Sequence, residues 1–195
     1  RWFAHCTELA AAEIERFAAT GTGVSHCPRT VIRLGYRIPR IGAMRRAGVP
    51  VSIGADGASS NDGGAFIADL RLALLLHRAG GDAPGDWLEP ADALGMATRV
   101  AARTLGREDI GSIAPGMRAD LAAFDLSGLD CAGALDDPVG GFLLAGARTR
   151  AKFAMVEGRV VVRDGRLATG DETRIAAHTR ERSRALLARA RTAAT

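Results

Sequence analysis

Three side chains combine a reactive type with a telling position: His5, His26 and Asp56. Each stands at, or just past, the end of a short β-prone run: Trp2-Phe3-Ala4, Val24-Ser25-His26 and Val49 to Gly54. In parallel α/β architectures that rim is where strand-to-helix loops converge and ligands bind. Two imidazoles and a carboxylate on one rim suit a hydrolytic metal, because neutral imidazole nitrogen and carboxylate oxygen are good donors to Zn²⁺ or Fe²⁺. Each residue also has a bland reading. A histidine near a strand end is commonly a hydrogen-bonded structural group, and Asp before Gly is a common turn former. The shared placement favours the functional reading.

The stretch Gly54-Ala55-Asp56-Gly57-Ala58-Ser59-Ser60-Asn61-Asp62 is the most informative. An apolar strand feeds one metal-capable carboxylate and then a loop of hydrogen-bonding groups. Ser60 and Asn61, together with His26 and Cys27, are therefore candidates for a substrate pocket. The repeated pairs His5-Cys6 and His26-Cys27 invite a Cys₂His₂ zinc reading, which geometry opposes. Neighbours on a strand point to opposite faces, and structural zinc motifs usually separate paired ligands by two or more residues. Gly21-Thr22-Gly23 precedes its strand, the wrong side for a dinucleotide loop.

The elements that must position these groups alternate in type. A helix opened by Thr7 as candidate N-cap reads through Leu9, Ile14 and Phe17 to Thr20. Pro28 ends the second strand, and Pro39 to Ala47 predicts a helix stopped by Gly48. After the polar loop, Phe66, Ile67, Leu70 and Leu74 recur at helical spacing through His77. This strand–helix rhythm requires parallel strands with crossover helices. Two Ala-rich helices follow, Pro90 to Ala97 and Val100 to Leu105. From Gly111 the period changes to short β runs at Asp120 to Asp125, Phe142 to Ala145, Lys152 to Val156 and Arg159 to Val162. Glu157-Gly158 and Asp164-Gly165 are hairpin turns. Asp171 to Ala190 predicts a closing helix whose apolar face carries Ile175, Leu186 and Leu187.

Composition excludes several classes. The 195 residues hold 26 Lys+Arg against 22 Asp+Glu, with 47% apolar and 25% charged residues, which is a globular balance rather than a disordered one. No apolar run approaches the roughly 20 residues that span a bilayer. The Arg residues are scattered beside acidic ones, and Arg174 to Arg191 reads as a solvated helix face, so neither nucleic acid nor membrane is an expected partner. Three Cys at irregular spacing make no disulfide framework, which points to a reducing, cytoplasmic compartment.

With "FAHC" at residues 3–6 and "SHCPR" at 25–29, the Asp56 loop resembles the metal-dependent amidohydrolase superfamily, most similar to the 8-oxoguanine deaminases and their guanine-deaminase and triazine-hydrolase relatives. "DIGSIAPGMRADLAAFD" at 109–125, "DDPVGGFLLAG" at 136–146 and "VEGRVVVRDGRL" at 156–167 extend the resemblance over nearly the whole chain. It implies an α/β fold: strands six to eight of a TIM-like (β/α)8 metallo-hydrolase barrel, part of a small β-sandwich, and a C-terminal helix. The implied division is 1–110 for the barrel portion, 111–168 for the β-sandwich portion and 169–195 for the helix.

The resemblance also implies roles. Asp56 matches the Asp that binds the metal and shuttles a proton from the attacking water to the leaving group. His5 matches the His that hydrogen-bonds the hydrolytic water or the developing oxyanion, and His26 is given a pocket or structural role. One Zn²⁺, with Fe²⁺ as alternative, belongs to each complete site. The implied reaction is deamination of an amino-substituted heterocycle (purine, pterin or triazine), with cyclic-amide hydrolysis or dechlorination as alternatives. The full-length enzyme is expected to be a homo-oligomer. Two departures stand out. The family's His-x-His pair, further His and acid Glu have no counterpart here, so the chain is expected to be a fragment that holds metal weakly or not at all, and an inactive fragment is a third reading. Thr30-Val31 stands where the family usually has Ser-Asn, which removes a polar pocket or turn residue.

Overall fold

The structure, a computed structural model, describes residues 1–146 and 149–193. Two compact units emerge: residues 1–118 with 125–149, and residues 119–124 with 150 onward. This grouping differs from the sequential division 1–110, 111–168 and 169–195, because residues 125–149 return to the first unit and the closing helix belongs to the second.

The first unit is α/β. Strands β1 (Trp2–Ala4), β2 (Gly23–His26) and β3 (Val51–Ile53) form a parallel sheet in that order, so β2 is paired on both sides. Helices α1 (Ala11–Ala19), α2 (Pro28–Arg33) and α3 (Ile41–Arg46) lie between the strands in sequence, and α4 (Ala58–Asn61) and α5 (Phe66–Ala79) follow β3. Then come α6 (Pro90–Ala97) and α7 (Arg99–Thr104). Val24, Val51 and Ile53 of the sheet share one core with Ile14, Ile41, Met44, Leu70, Leu74, Ala93 and Met96 of the helices. Burying one such side chain contributes roughly 1.5–3 kcal/mol, so this core is the main force holding the strand ends in place.

Local chemistry corrects several expectations. Helix α1 opens at Ala11 rather than after Thr7, because the Glu13 carboxylate reaches back to accept the Ala10 N–H at 2.7 Å. Pro28 starts α2 as its first helical residue, a position that needs no N–H. The polar loop after Asp56 contains the short helix α4. Phe142 to Ala145, expected as a strand, continues the helical turn α8 (Pro138–Gly140) as a π turn over Gly141–Ala145. Asp137 caps that segment by accepting the Gly140 N–H at 2.9 Å. The Arg71 guanidinium donates to the carbonyls of Leu143 and Gly146, and Leu143 is wholly buried.

The second unit is an antiparallel sheet ordered β4 (Leu121–Ala123), β5 (Phe153–Val156), β6 (Arg159–Arg163) and β7 (Arg166–Leu167). Its two hairpins turn at Glu157-Gly158 and Asp164-Gly165. All four residues have positive φ, the conformation that two-residue turns between right-twisted strands require. Helix α9 (Glu172–Ala193) begins where Glu172 accepts the Leu167 N–H at 2.9 Å, and its expected apolar face of Ile175, Leu186 and Leu187 stays exposed.

The first core also encloses a polar pair. His26 is fully buried with Nε2 3.2 Å from Nε2 of His77, a buried residue of α5. The far nitrogen of His77, Nδ1, lies 3.3 Å from an oxygen of Asp82. Burial pushes the His26 pKa down to about 3, helped by the charges His77 and His5 would carry. Burial lowers His77 as well, against the opposing pull of Asp82. Both histidines therefore bind protons less readily folded than unfolded. The stability they allow is complete above the ordinary histidine pKa of about 6.5 and falls as pH drops below it. Unfolding free energies from urea titration should accordingly decline from pH 7 to pH 5, by at most about 1.4 kcal/mol per pH unit for each such proton. A His26→Leu variant should show a shallower decline, and an equal slope in both proteins would contradict the neutral buried pair.

Candidate active site

The ends of the three parallel strands meet at one rim. Immediately past β1, His5 donates its backbone N–H to the Ser25 carbonyl at 2.9 Å, which ties the first strand end to the second. Past β3, the Gly54 N–H bonds to the His26 carbonyl at 2.8 Å and ties the third to the second. Glycine is required at 54, because a Cβ there would lie 2.5 Å from Ser25 Oγ and 3.1 Å from Cys27 Sγ.

The backbone then turns sharply on both sides of the rim. His5, Cys6 and Asp56 have φ of +64°, +52° and +59°, a left-handed conformation that costs a non-glycine residue about 1–2 kcal/mol. The result brings His5 Nε2 to 3.7 Å from Asp56 Oδ2, with each side chain one-third exposed. That separation is too long for a direct hydrogen bond, yet short enough for one oxygen atom to bond both. His5 Nδ1 is buried without a hydrogen-bond partner among the described residues, and Nε2 is the ring nitrogen that faces Asp56.

Two hydroxyls hold the carboxylate. Ser60 Oγ donates to Asp56 Oδ2 at 2.8 Å and Thr30 Oγ1 donates to the same oxygen at 3.1 Å. The Ser60 hydrogen bond, then the Gly57 backbone N–H, lower the Asp56 pKa; burial slightly opposes them, and Thr30 and the His5 charge add to the lowering. The group is thus an anion at neutral pH and stays one further into acid than an ordinary carboxyl. Thr30 keeps a hydroxyl at the site, and the apolar Val31 beside it is fully buried.

The remaining candidates fall elsewhere. His26 points away from the rim, as its two-residue spacing from core residue Val24 dictates, and bonds His77. Asn61 is buried and donates to the Ala55 carbonyl and the Asp69 carboxylate. Cys27 is buried near the rim. Its pKa is pushed up to about 11, first by burial and then by the Asp56 charge, so the free thiol is no nucleophile. Sequence reasoning missed Thr30 as a carboxylate donor and the pairing of partly exposed Arg29 with buried Asp69, whose Nε and Oδ1 lie 3.3 Å apart. The signal for Asp69 was available: a carboxylate inside the apolar run Phe66 to Leu70 demands a partner.

The donor types of Asp56 and His5 suit zinc, but their number does not complete a site. Catalytic zinc usually takes three protein ligands, and the described residues contain no group of three His, Cys, Asp or Glu placed to hold a metal. Asp56 fits as one ligand of a larger set. Among the described residues no helix is long and apolar enough to cross a membrane.

Known proteins resemble this chain in sequence and fold. The chain is 41% identical over 187 residues to 8-oxoguanine deaminase of Pseudomonas aeruginosa, covering 96% of this chain and 41% of the relative. Against hydroxydechloroatrazine ethylaminohydrolase of Pseudomonas sp. strain ADP it is 39% identical, covering 90% of this chain and 37% of that one. The fold superposes on atrazine chlorohydrolase from Arthrobacter aurescens TC1 complexed with zinc, with TM-score 0.87, 38% identity, and coverage of 92% and 40%. It also superposes on an adenosine deaminase from Xanthomonas campestris with bound zinc, with TM-score 0.86, 32% identity, and coverage of 94% and 42%. The chain spans about 40% of the length of these relatives. Residues 2–166 match the profile of the amidohydrolase family, and the chain is a member of that family.

Proposed function

We propose that this chain contributes Asp56 and His5 to a metal-dependent aminohydrolase that deaminates an amino-substituted nitrogen heterocycle, such as an 8-oxoguanine- or guanine-like purine, a pterin or a triazine. Its three parallel strands are the last three of a (β/α)8 barrel, and the other metal ligands come from sequence outside these 195 residues. The observation that carries this reading is the 3.7 Å gap between His5 Nε2 and Asp56 Oδ2 on one rim. The names of the similar proteins support the substrate class.

A bound zinc ion, or Fe²⁺ on the same donors, would lower the pKa of its water to about 7. Asp56 accepts the proton of the attacking water at its carboxylate and returns it to the leaving amine. The new C–O bond thereby replaces the exocyclic C–N bond between the ring carbon and its amino group, and ammonia leaves. His5 Nε2–H donates to the oxygen on which charge develops. Ser60 and Thr30 keep the Asp56 carboxylate ionised and aimed between these steps. Ser60, partly exposed beside Asp56, is the rim hydroxyl nearest an incoming ring, whereas Cys27 is buried behind it. A second reading, displacement of chloride or an alkylamine from a triazine, is favoured by the superposition on a chlorohydrolase and the identity to an ethylaminohydrolase.

Three outcomes test the proposal. The isolated chain should retain well below about half a zinc per molecule by elemental analysis, because one protein ligand is too few, and a larger content would contradict an incomplete site. In the enzyme with its ligand set complete, Asp56→Asn should lower kcat by about 10³-fold and His5→Asn by about 10²-fold. Undiminished ammonia release in the Asp56 variant would overturn the assignment, and release of chloride or ethylamine instead of ammonia would select the second reading. Both edges of the β1–β2–β3 sheet are unpaired among the described residues, and Trp2 and Phe3 are about half exposed. The isolated chain should therefore self-associate in light scattering. A monodisperse monomer that melts cooperatively would contradict the partial-barrel reading.

A further inference from the structure

A buried polar relay stands behind Asp56. Asp69 on α5 is 1% exposed, and its Oδ1 lies 3.3 Å from Arg29 Nε. Its two oxygens accept from Asn61 Nδ2 at 3.2 and 3.3 Å, and the same Nδ2 donates to the Ala55 carbonyl at 2.5 Å. An amide nitrogen has two hydrogens, so one serves the carbonyl and the other is shared by the carboxylate. Turning the amide over would set its oxygen against three acceptor oxygens, which fixes its orientation.

The Ala55 carbonyl belongs to the peptide plane that joins residues 55 and 56. Holding that plane constrains the φ of Asp56, which is the left-handed +59° on which the His5–Asp56 approach depends. A strained backbone persists only where its surroundings over-determine it. The Ser60 and Thr30 hydroxyls grip the side chain, whereas the relay grips the backbone.

We propose that Asn61 and Asp69 are positioning residues: together they lock the Ala55–Asp56 peptide so that the Asp56 carboxylate faces His5, and Arg29 neutralises the buried Asp69. The importance of that orientation rests on the function proposed above; the locking itself needs neither metal nor substrate.

Amide hydrogen exchange on the full 195-residue chain tests it. The reporters are the Ser60 and Asp62 amides, bonded to the carbonyls of Gly57 and Ala58, and the controls are the Val24 and Gly54 amides within the sheet. Asn61→Leu, which keeps bulk and removes the donor, should speed exchange at the reporters about tenfold or more while the controls change much less. Asp69→Asn keeps an acceptor for Asn61 and loses the charge facing Arg29, so it should give a smaller effect in the same local pattern. It also serves as the test if the Leu variant does not fold. Equal acceleration at reporters and controls, which a merely stabilising core pair would give, or no change in either variant, would overturn the proposal. Ring hydrolysis by the complete wild-type enzyme is scored separately. Its absence beside the local exchange pattern would defeat the proposed function and leave this inference standing, whereas turnover beside uniform exchange would defeat this inference alone.

Discussion

Everything at the rim depends on where one carboxylate is held. Asp56 leaves the end of β3 in a left-handed conformation that its covalent structure disfavours, and neighbours on two other segments bind it and the peptide before it. Hydroxyls from α2 and α4 take one oxygen, and the buried Asn61–Asp69 pair holds the preceding peptide. The parallel sheet supplies the frame. Backbone hydrogen bonds from His5 to Ser25 and from Gly54 to His26 align the three strand ends within a single layer. Without that alignment the imidazole and the carboxylate would share a surface but not a target atom.

The same constraint explains why the polar groups divide as they do. Alternation along β2 sends His26 with Val24 into the helical core, where a neutral imidazole can satisfy His77. Asp69 carries its charge into the interior, where burial raises its pKa while Asn61 and Arg29 hold it down. An anion in such surroundings is tolerable only when hydrogen-bonded, so the relay stabilises itself as well as the loop it grips. Asp56, by contrast, is one-third exposed and open to a ligand.

Much of this was legible in the residues. Short apolar runs ending in His5 and Asp56 sufficed to place both at strand ends, and Glu157-Gly158 and Asp164-Gly165 announced their hairpins through turn chemistry alone. Other features were hidden because tertiary context decided them. Phe142 to Ala145 carries a β-compatible composition, but the Asp137 cap and the Arg71 donors from a distant helix impose a helical turn. Thr7 has a good capping side chain, yet Glu13 captures the helix start three residues later. His26, given a pocket or structural role, and Asn61, a pocket candidate, are turned inward by strand alternation and by the helix α4, which the sequence shows only as an alanine and three polar residues. Thr30-Val31 reads as a polar loss against the family's usual Ser-Asn, and the partner that gives the Thr30 hydroxyl a place, Asp56, lies 26 residues away.

The central claim is that the imidazole at position 5 and the carboxylate at position 56 serve one atom between them. A crystal structure of the chain tests it most directly. The account predicts His5 Nε2 and Asp56 Oδ2 about as far apart as the 3.7 Å seen here, with a single ordered water or ion in contact with both. Side chains rotated away from each other, or separated by packed residues, would contradict it.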